Sequence, residues 1–350
     1  MSPPDSCRPT RRTIVAGGAL VLAAGPARAV GPQSGRTLLV THPAFTRHET
    51  GLGNPERPAR MRAIDEALAG PDFATLRREE APLRDDAEAA ILRAHTQAHL
   101  DRIRAATAEA DTGPVHLDAD TVVSAGTWEA ALRAVGAGLR AVDAVMDRGA
   151  GVANAFCQVR PPSHHAERER AMGFCLFNAV AVAALHAKAT HGAERVAVVD
   201  FDVHHGNGTQ TIFWSDRDLF YGSTHRKPWF PGTGAASETG VGNVWNAPLA
   251  EGDGSGPFRK AWTERILPAL DAFRPDLILI SAGFDAQEGD PLGGLRLVED
   301  DFALATSQIA EVAHRRCEGR IVSMLEGGYV LDALAHSTAA HVRALVASAT

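Results

Sequence analysis

Short apolar runs alternate with longer stretches of helical periodicity through most of this 350-residue chain. Residues 37–41, 151–159, 195–201, 218–223, 276–281 and 320–325 are brief and largely hydrophobic, as expected of strands buried on both faces. Residues 124–148, 178–191, 258–273 and 300–316 space their apolar side chains as helices do. Gly192 and Gly319 stand where a helix carboxyl end calls for a left-handed residue, and Pro275 stops a third helix before its strand. Such strand–helix alternation predicts an α/β fold, a mostly parallel sheet with helices on both faces. No internal repeat or low-complexity linker divides residues 30–350, which read as one domain. A chain of this length can bury roughly three quarters of its unfolded surface, ample for a single core.

Charge changes the picture at the amino terminus. The formal net charge is −7, but the first 29 residues set Arg8, Arg11, Arg12 and Arg28 against Asp5 alone, so the remainder is more acidic than the total. An acidic body argues against a nucleic-acid partner and favours encounter with cationic molecules such as polyamines or lysine peptides. Thr10-Arg11-Arg12-Thr13-Ile14-Val15 opens a short apolar run that ends near Ala24, and Ala27-Arg28-Ala29 follows as a small-x-small cleavage pattern. Residues 1–29 therefore read as a twin-arginine-type signal peptide, which predicts a mature protein exported to the periplasm or secreted. The apolar run falls well short of the ~20 residues a membrane span needs, so no stable span is expected. Cys7 would leave with the leader. Cys157, Cys175 and Cys317 lack CxxC spacing and read as buried thiols, not as a disulfide framework or a zinc site.

Candidate chemistry gathers where four of the predicted strands end. The run ending at Val159 is followed by Arg160-Pro-Pro-Ser-His164-His165. The run at 195–201 leads through Asp200-Phe-Asp202-Val-His204-His205-Gly-Asn207-Gly, and the last two give way to Ala-Gly-Phe-Asp285 and Glu326-Gly-Gly-Tyr329. In open α/β sheets the active site lies beyond the carboxyl ends of the strands. Residues two apart on an extended chain point the same way, so Asp202 and His204 can share one ion, and Asp285 can complete three protein ligands. This oxygen-rich set suits Zn²⁺ and also admits Fe²⁺ or Mn²⁺. The competing reading is a solvated strand end with capping roles, which would leave carboxylates in an apolar strand without a compensating cation. Amide hydrolysis beside such an ion needs a proton carrier, for which the His164-His165 pair is placed, and an oxyanion donor, for which Tyr329 is placed.

These stretches, with Asn54-Pro-Glu-Arg-Pro and Met172-Gly-Phe-Cys-Leu-Phe-Asn178, resemble the histone-deacetylase and acetylpolyamine-amidohydrolase family, in its class II branch. The resemblance runs from Asn54 to Tyr329 and implies the three-layer arginase/deacetylase-like fold. It implies a zinc-dependent hydrolase that removes acetyl or related acyl groups from acyl-lysine or acylated small amines, in peptides or small molecules. Asp202, His204 and Asp285 would be the metal ligands. His164, supported by Asp200, would stand beside His165 as general base and then acid. Asn207 occupies the position where class I members have Asp, and a neutral partner raises the basicity of His165 less than a carboxylate would. Tyr329 matches the catalytic tyrosine, which some weakly active relatives replace with His. Gly173, Phe174 and Phe230 match the walls of a narrow acyl-lysine tunnel, and Asp120 the acceptor at its rim. Backbone oxygens around Asp200, Asp202 and His204, with Ser223, resemble a structural K⁺ site.

Three positions bear on specificity. Ser163 replaces the usual glycine before the histidine pair, so its hydroxymethyl is expected to narrow the acyl pocket or add a polar contact. Asn54 stands where many members have His. Leu292 is typical of deacetylases, where polyamine-selective members carry Glu, which weighs against an acetylpolyamine specialist. A non-catalytic acyl-amine binder would keep the pocket and lose a catalytic group, and no such loss is visible. Arginase-type enzymes share the fold but bind two metals through paired signatures missing here. Gly206-x-Gly208 and Gly232-x-Gly234 are too isolated to read as a nucleotide site. His95 and His99, four apart, mimic a zinc pair but lack HExxH and a third ligand, and so read as a plain helix face.

Overall fold

The computed structural model describes residues 35–349, so the leader expected over 1–29 lies outside the described residues. The strands are β1 (Thr37–Thr41), β2 (Arg77–Glu80), β3 (Val115–His116), β4 (Val122–Val123) and β5 (Asn154–Cys157), then β6 (Val196–Asp200), β7 (Leu219–Arg226), β8 (Val244–Leu249), β9 (Leu277–Ala282) and β10 (Ile321–Leu325). Eight form a single sheet in the order β2-β1-β5-β10-β9-β6-β7-β8, and every pairing within it is parallel. The short β3–β4 ribbon stands apart and is antiparallel. Parallel strands require crossover helices, which bury both faces. Helices Thr127–Met146 and Ala179–His191 pack together against β5 and β6 on one side, while Ala59–Ala67, Glu299–Cys317 and Leu331–Ser348 pack on the other. The expected three-layer α/β architecture is present.

Local chemistry accounts for several boundaries. Asn178 caps helix Ala179–His191 by accepting from the Ala181 amide, and Gly192 ends it in the left-handed conformation. Helix Glu299–Cys317 opens on Glu299, Asp300 and Asp301 and closes on His314, Arg315 and Arg316, in the sense that complements its dipole. Here the left-handed cap is Glu318, with Gly319 also at positive φ, so the turn begins one residue earlier than the glycine suggests. The helical run over 258–273 is interrupted by a π-turn at Trp262–Ile266. Besides the short β3 and β4, two strands of the main sheet escape the hydrophobic pattern because both are edges. β2 reads Arg-Arg-Glu-Glu, and β8 carries Pro248, the charges and proline that blunt a sheet edge. Helix Leu331–Ser348 lacks a capping side chain at its start and gave no such signal. Cys157, Cys175 and Cys317 are free and buried, as expected.

The strand order positions the site. β5 and β6 follow one another in sequence but stand three places apart, and the later strands β9 and β10 fill the gap. Register sets Asp200 level with Ser281 on one side and Ser223 on the other, and Leu325 level with Ala282. The segments leaving β5, β6, β9 and β10 therefore emerge at one edge of the sheet, where the chain order switches.

Beneath that edge lies a charge cluster with no solvent contact. Glu56 receives Arg160 through Nε at 2.5 Å and Nη2 at 2.8 Å, and Arg60 Nη1 at 3.1 Å. Arg60 continues to the carbonyls of Glu326 (2.5 Å) and Gly328 (2.7 Å), tying the segment after β10 to the start of helix Ala59–Ala67. Burial alone would raise the Glu56 carboxyl, but the Arg160 guanidinium, aided by His48 and Arg60, outweighs it and holds the group at about 2. A depressed carboxyl contributes stability that is complete above its unfolded value near 4.5 and is lost as pH falls toward 2. Glu56→Gln should thus cost about 3 kcal/mol at pH 7, and the gap to the parent chain should narrow below pH ~4.5. Denaturant titrations of both chains at pH 7 and below pH 4 check this, and a pH-independent gap would count against it.

Candidate active site

The three residues expected to share an ion converge. His204 Nδ1 lies 3.0 Å from Asp202 Oδ1 and 3.2 Å from Asp285 Oδ2, and all three side chains are buried. The convergence has a different origin from the extended spacing expected. β6 ends at Asp200, and residues 202–204 lie in a bend in which the His204 amide donates to Asp202 Oδ1 at 2.8 Å. Asp285 is aimed by the Val203 amide at 2.9 Å, and the second oxygen of Asp202 accepts from the Gly327 amide at 2.9 Å. A side chain on Gly327 would run into both carboxylates, so the Glu-Gly-Gly turn is shaped to approach them. With protein charges alone, burial and Asp202 push Asp285 up to about 7, and the two carboxylates lift His204 against its own burial to about 10. Two buried carboxylates balanced by one imidazole suit a divalent cation, and the donor set of two oxygens and one nitrogen fits the expected ion.

The histidine pair is split by its partners. His164 Nδ1 meets Asp200 Oδ2 at 2.9 Å, which also accepts from Tyr221 Oη at 3.0 Å. His165 Nδ1 meets Asn207 Oδ1 at 2.8 Å. Burial opposes charge on both rings. For His164 the carboxylates of Asp200, Asp202 and Glu326 outweigh it and raise the ring to about 10. His165 has no carboxylate partner, and burial together with His164 and His204 drives it well below its ordinary value. The two rings are thus driven in opposite directions, His164 up and His165 down.

Above these groups opens a pocket of about 450 Å³ whose lining includes His165, His204 and Tyr329 together with Gly173, Phe174, Phe230 and Leu292. Asp120, Asn54 and Trp229 also line it. Every residue expected to bind substrate is therefore in its wall. The Phe230 ring stands edge-on to His165 at 5.1 Å, and Phe174 edge-on to Tyr329 at 5.8 Å. Gly173 and Phe174 both have positive φ, 56° and 66°. That conformation is uncommon for a side-chain-bearing residue and marks this wall as held in place by its surroundings. Burial and Asp285 push the Tyr329 phenol well above its ordinary value, so at neutral pH it is a hydrogen-bond donor.

Other expectations need correction. Ser163 does not line the pocket. Its hydroxyl and amide both donate to the buried Glu326 carboxylate, at 2.6 and 2.5 Å, so the polar contact is to the protein and the acyl pocket is not narrowed. His95 and His99 do not share one helix face. His95 follows helix Ala87–Ala94, His99 lies in helix Gln97–Glu109, and both rings are buried and stacked at 4.8 Å. They brace the pocket wall through the carbonyls of Glu167 (2.9 Å) and Leu176 (2.8 Å). Ser223 stands beside Asp200 by register, which leaves the potassium reading open. Sequence reasoning missed Glu56, Arg60, Arg160 and Glu326, although the four-residue spacing of Glu56 and Arg60 was a usable signal. A second group, Asp143, His186 and His191, also has donors within ligand distance. It sits where helix Ala179–His191 ends, ahead of β6, and Arg84 already holds its carboxylate.

Comparison with known proteins agrees with this geometry. A histone deacetylase domain matches residues 54–345. The chain is 38% identical over 324 residues to histone deacetylase 10, chloroplastic, of Oryza sativa, covering 88% of this chain and 73% of that one. It is 39% identical over 284 residues to a histone deacetylase-like amidohydrolase of Pseudomonas aeruginosa, covering 79% and 73%. The crystal structure of the HDA15 HD domain aligns with a TM-score of 0.83 at 34% identity, over 90% of this chain and 89% of that one.

The packing of Gly173 on His165 makes one outcome specific. An added methyl group at Gly173 would meet the His165 ring, and the positive φ disfavours it independently. Gly173→Ala should lower stability by about 1–3 kcal/mol and displace His165 or the wall. A thermal midpoint and crystal structure matching the parent would show that this contact is not tight.

Proposed function

The chain belongs to the histone deacetylase family, and from that premise we propose that it is a zinc-dependent hydrolase removing acetyl or related acyl groups from amines. One observation carries the reading: Asp202, His204 and Asp285 converge within ligand distance of one another, and His204 lines an aromatic-walled pocket together with His165 and Tyr329. A divalent ion held by those three residues would supply Lewis acidity to the amide carbonyl and acidify a water. The chain's own groups do the rest. Phe174 and Phe230 enclose a linear alkyl amine and exclude solvent, so that an acyl amide reaches the floor in extended form. His165 takes a proton from the attacking water as the new carbon–oxygen bond forms. Tyr329 donates to the oxyanion that develops on the substrate carbonyl. His165 then returns the proton to the departing nitrogen as the carbon–nitrogen bond breaks, and the remaining proton of the attacking water passes from the new carboxyl group to the amine, leaving a carboxylate and an ammonium. His164, held by Asp200, packs against the His165 ring and fixes that flank of the site.

Leu292 gives the pocket an apolar rim, which favours acyl-lysine and small acylated amines over polyamine chains that need a carboxylate there. The leader reading over 1–29 extends the proposal to an exported enzyme, whose substrates are then acylated amines or peptides outside the cytoplasmic membrane and not the cell's own chromatin. A mature amino terminus near residue 30 in the exported fraction supports it, and one near Met1 retires it.

Zinc-loaded protein assayed against acetyl-lysine peptides, longer acyl-lysines and N-acetylpolyamines tests the reaction class and the rim together. Turnover of acyl-lysine substrates is expected, and a strong polyamine preference would overturn the inference from Leu292. Tyr329→Phe should lower turnover on the order of 10²-fold, as loss of one oxyanion donor does. Turnover equal to the parent would remove Tyr329 from the mechanism.

A further inference from the structure

We propose that Glu167, two residues beyond His165, is a positioning residue that acts through Asn207 to fix the His165 proton on Nδ1 and its lone pair on Nε2. The importance of that nitrogen rests on the acyl-amine hydrolase reading above, whereas the hydrogen-bond geometry stands without it.

Donors and acceptors around Asn207 fix its orientation. One end of the Asn207 amide lies 2.8 Å from His165 Nδ1. The other end lies 2.7 Å from Glu167 Oε1 and 3.4 Å from Met172 Sδ. A carboxylate oxygen and a thioether sulfur can only accept, so the end facing them is the NH₂ group. The end facing His165 is then the oxygen, which can only accept, so His165 Nδ1 must carry the hydrogen. Nε2, on the far edge of a ring that lines the pocket, keeps its lone pair.

An asparagine by itself does not specify this arrangement. Its amide is nearly isosteric on flipping, and the flipped form would donate to Nδ1, move the ring proton to Nε2 and leave no base facing the pocket. The Glu167 carboxylate makes the flip costly by placing an acceptor opposite a carbonyl oxygen. Glu167 is in turn held by its backbone. Its amide donates to the Arg170 carbonyl at 2.9 Å. Its carbonyl meets His95 Nδ1 at 2.9 Å, and His95 Nε2 accepts from the Asn178 amide at 2.9 Å. The buried His95, which takes no part in the chemistry, thereby anchors the residue that orients Asn207.

The arrangement also predicts that the effect of Glu167→Gln depends on the residue at position 207. Asn207→Asp would give His165 a carboxylate partner directly, but that carboxylate would face Glu167 at the 2.7 Å contact. Glu167→Gln, which retains an acceptor for Asn207, should be nearly neutral in the parent chain and beneficial in the Asn207→Asp chain, where the glutamine NH₂ can donate. A purely structural role for Glu167 predicts the same effect in both.

The test uses zinc-loaded full chains carrying Glu167→Ala, Glu167→Gln, Asn207→Asp and the Glu167→Gln/Asn207→Asp pair, with thermal midpoints recorded for each. On an acetyl-lysine peptide, Glu167→Ala should lower kcat on the order of 10-fold with KM little changed, as loss of a group orienting a site histidine does. Glu167→Gln should stay within about threefold of the parent, and the double variant should exceed Asn207→Asp alone. Independently of turnover, ¹⁵N-histidine spectra, with the His165 signal assigned by its loss in His165→Ala, should show Nδ1–H in the parent and a shift toward Nε2–H in Glu167→Ala. An unchanged tautomer in Glu167→Ala, or no gain from Glu167→Gln in the Asn207→Asp background, overturns the proposal. If no chain hydrolyses any acyl amine, the functional reading fails and the tautomer still decides the role of Glu167.

Discussion

Two carboxylates and one imidazole buried within hydrogen-bond distance of one another set the terms for the rest of the molecule. Asp202 and Asp285 are almost wholly removed from solvent, and a buried charge is tolerated only when paired. His204 can offset at most one of them. The surrounding chain responds by aiming every available donor inward. The amides of Val203, His204 and Gly327 all point at these oxygens. A polar centre of this kind is costly to assemble without a cation, and it fixes where the backbone after β6, β9 and β10 must run.

The sheet makes that assembly affordable in geometric terms. Because β9 and β10 are laid down last, between β5 and β6, four connections from distant parts of the sequence leave the sheet side by side. Held beneath them, the Glu56–Arg160–Arg60 cluster grips the segment that carries Tyr329 by two of its carbonyls. On the other flank His95 and His99 secure the segment that carries Gly173 and Phe174. The pocket is therefore a product of buried polar braces as much as of its aromatic walls. Within the site, different partners set the two histidines apart, Asp200 for His164 and Asn207 for His165.

Much of this was legible in the sequence where polarity broke an apolar run. Asp200, Asp202, Asp285 and Tyr329 announce themselves because each follows a strand that is otherwise hydrophobic. The pocket residues Phe174, Phe230 and Leu292 came from the family resemblance and not from any pattern of their own. What escaped did so for physical reasons. β2 and β8 are edges, whose charges and proline hide the strand signal. Arg160 and Glu326 stand in the strand-end motifs and Glu56 in the Asn54-Pro-Glu-Arg-Pro stretch, but their roles, like that of Arg60, appear only when tertiary packing buries all four. Ser163 was read against the pocket because Glu326, its true partner, is 163 residues away in the chain. Asp202 and His204 do converge, but through a bend whose amide caps the carboxylate and not through strand alternation.

The central claim is that one divalent ion is gripped by these three side chains. It is tested most directly by anomalous scattering at the zinc edge from crystals of the full chain grown with Zn²⁺. The account predicts a single strong peak about 2.0–2.2 Å from Asp202, His204 Nδ1 and Asp285, lost in Asp285→Ala. A peak bound elsewhere, or none at this cluster while its three side chains keep their present places, would contradict it.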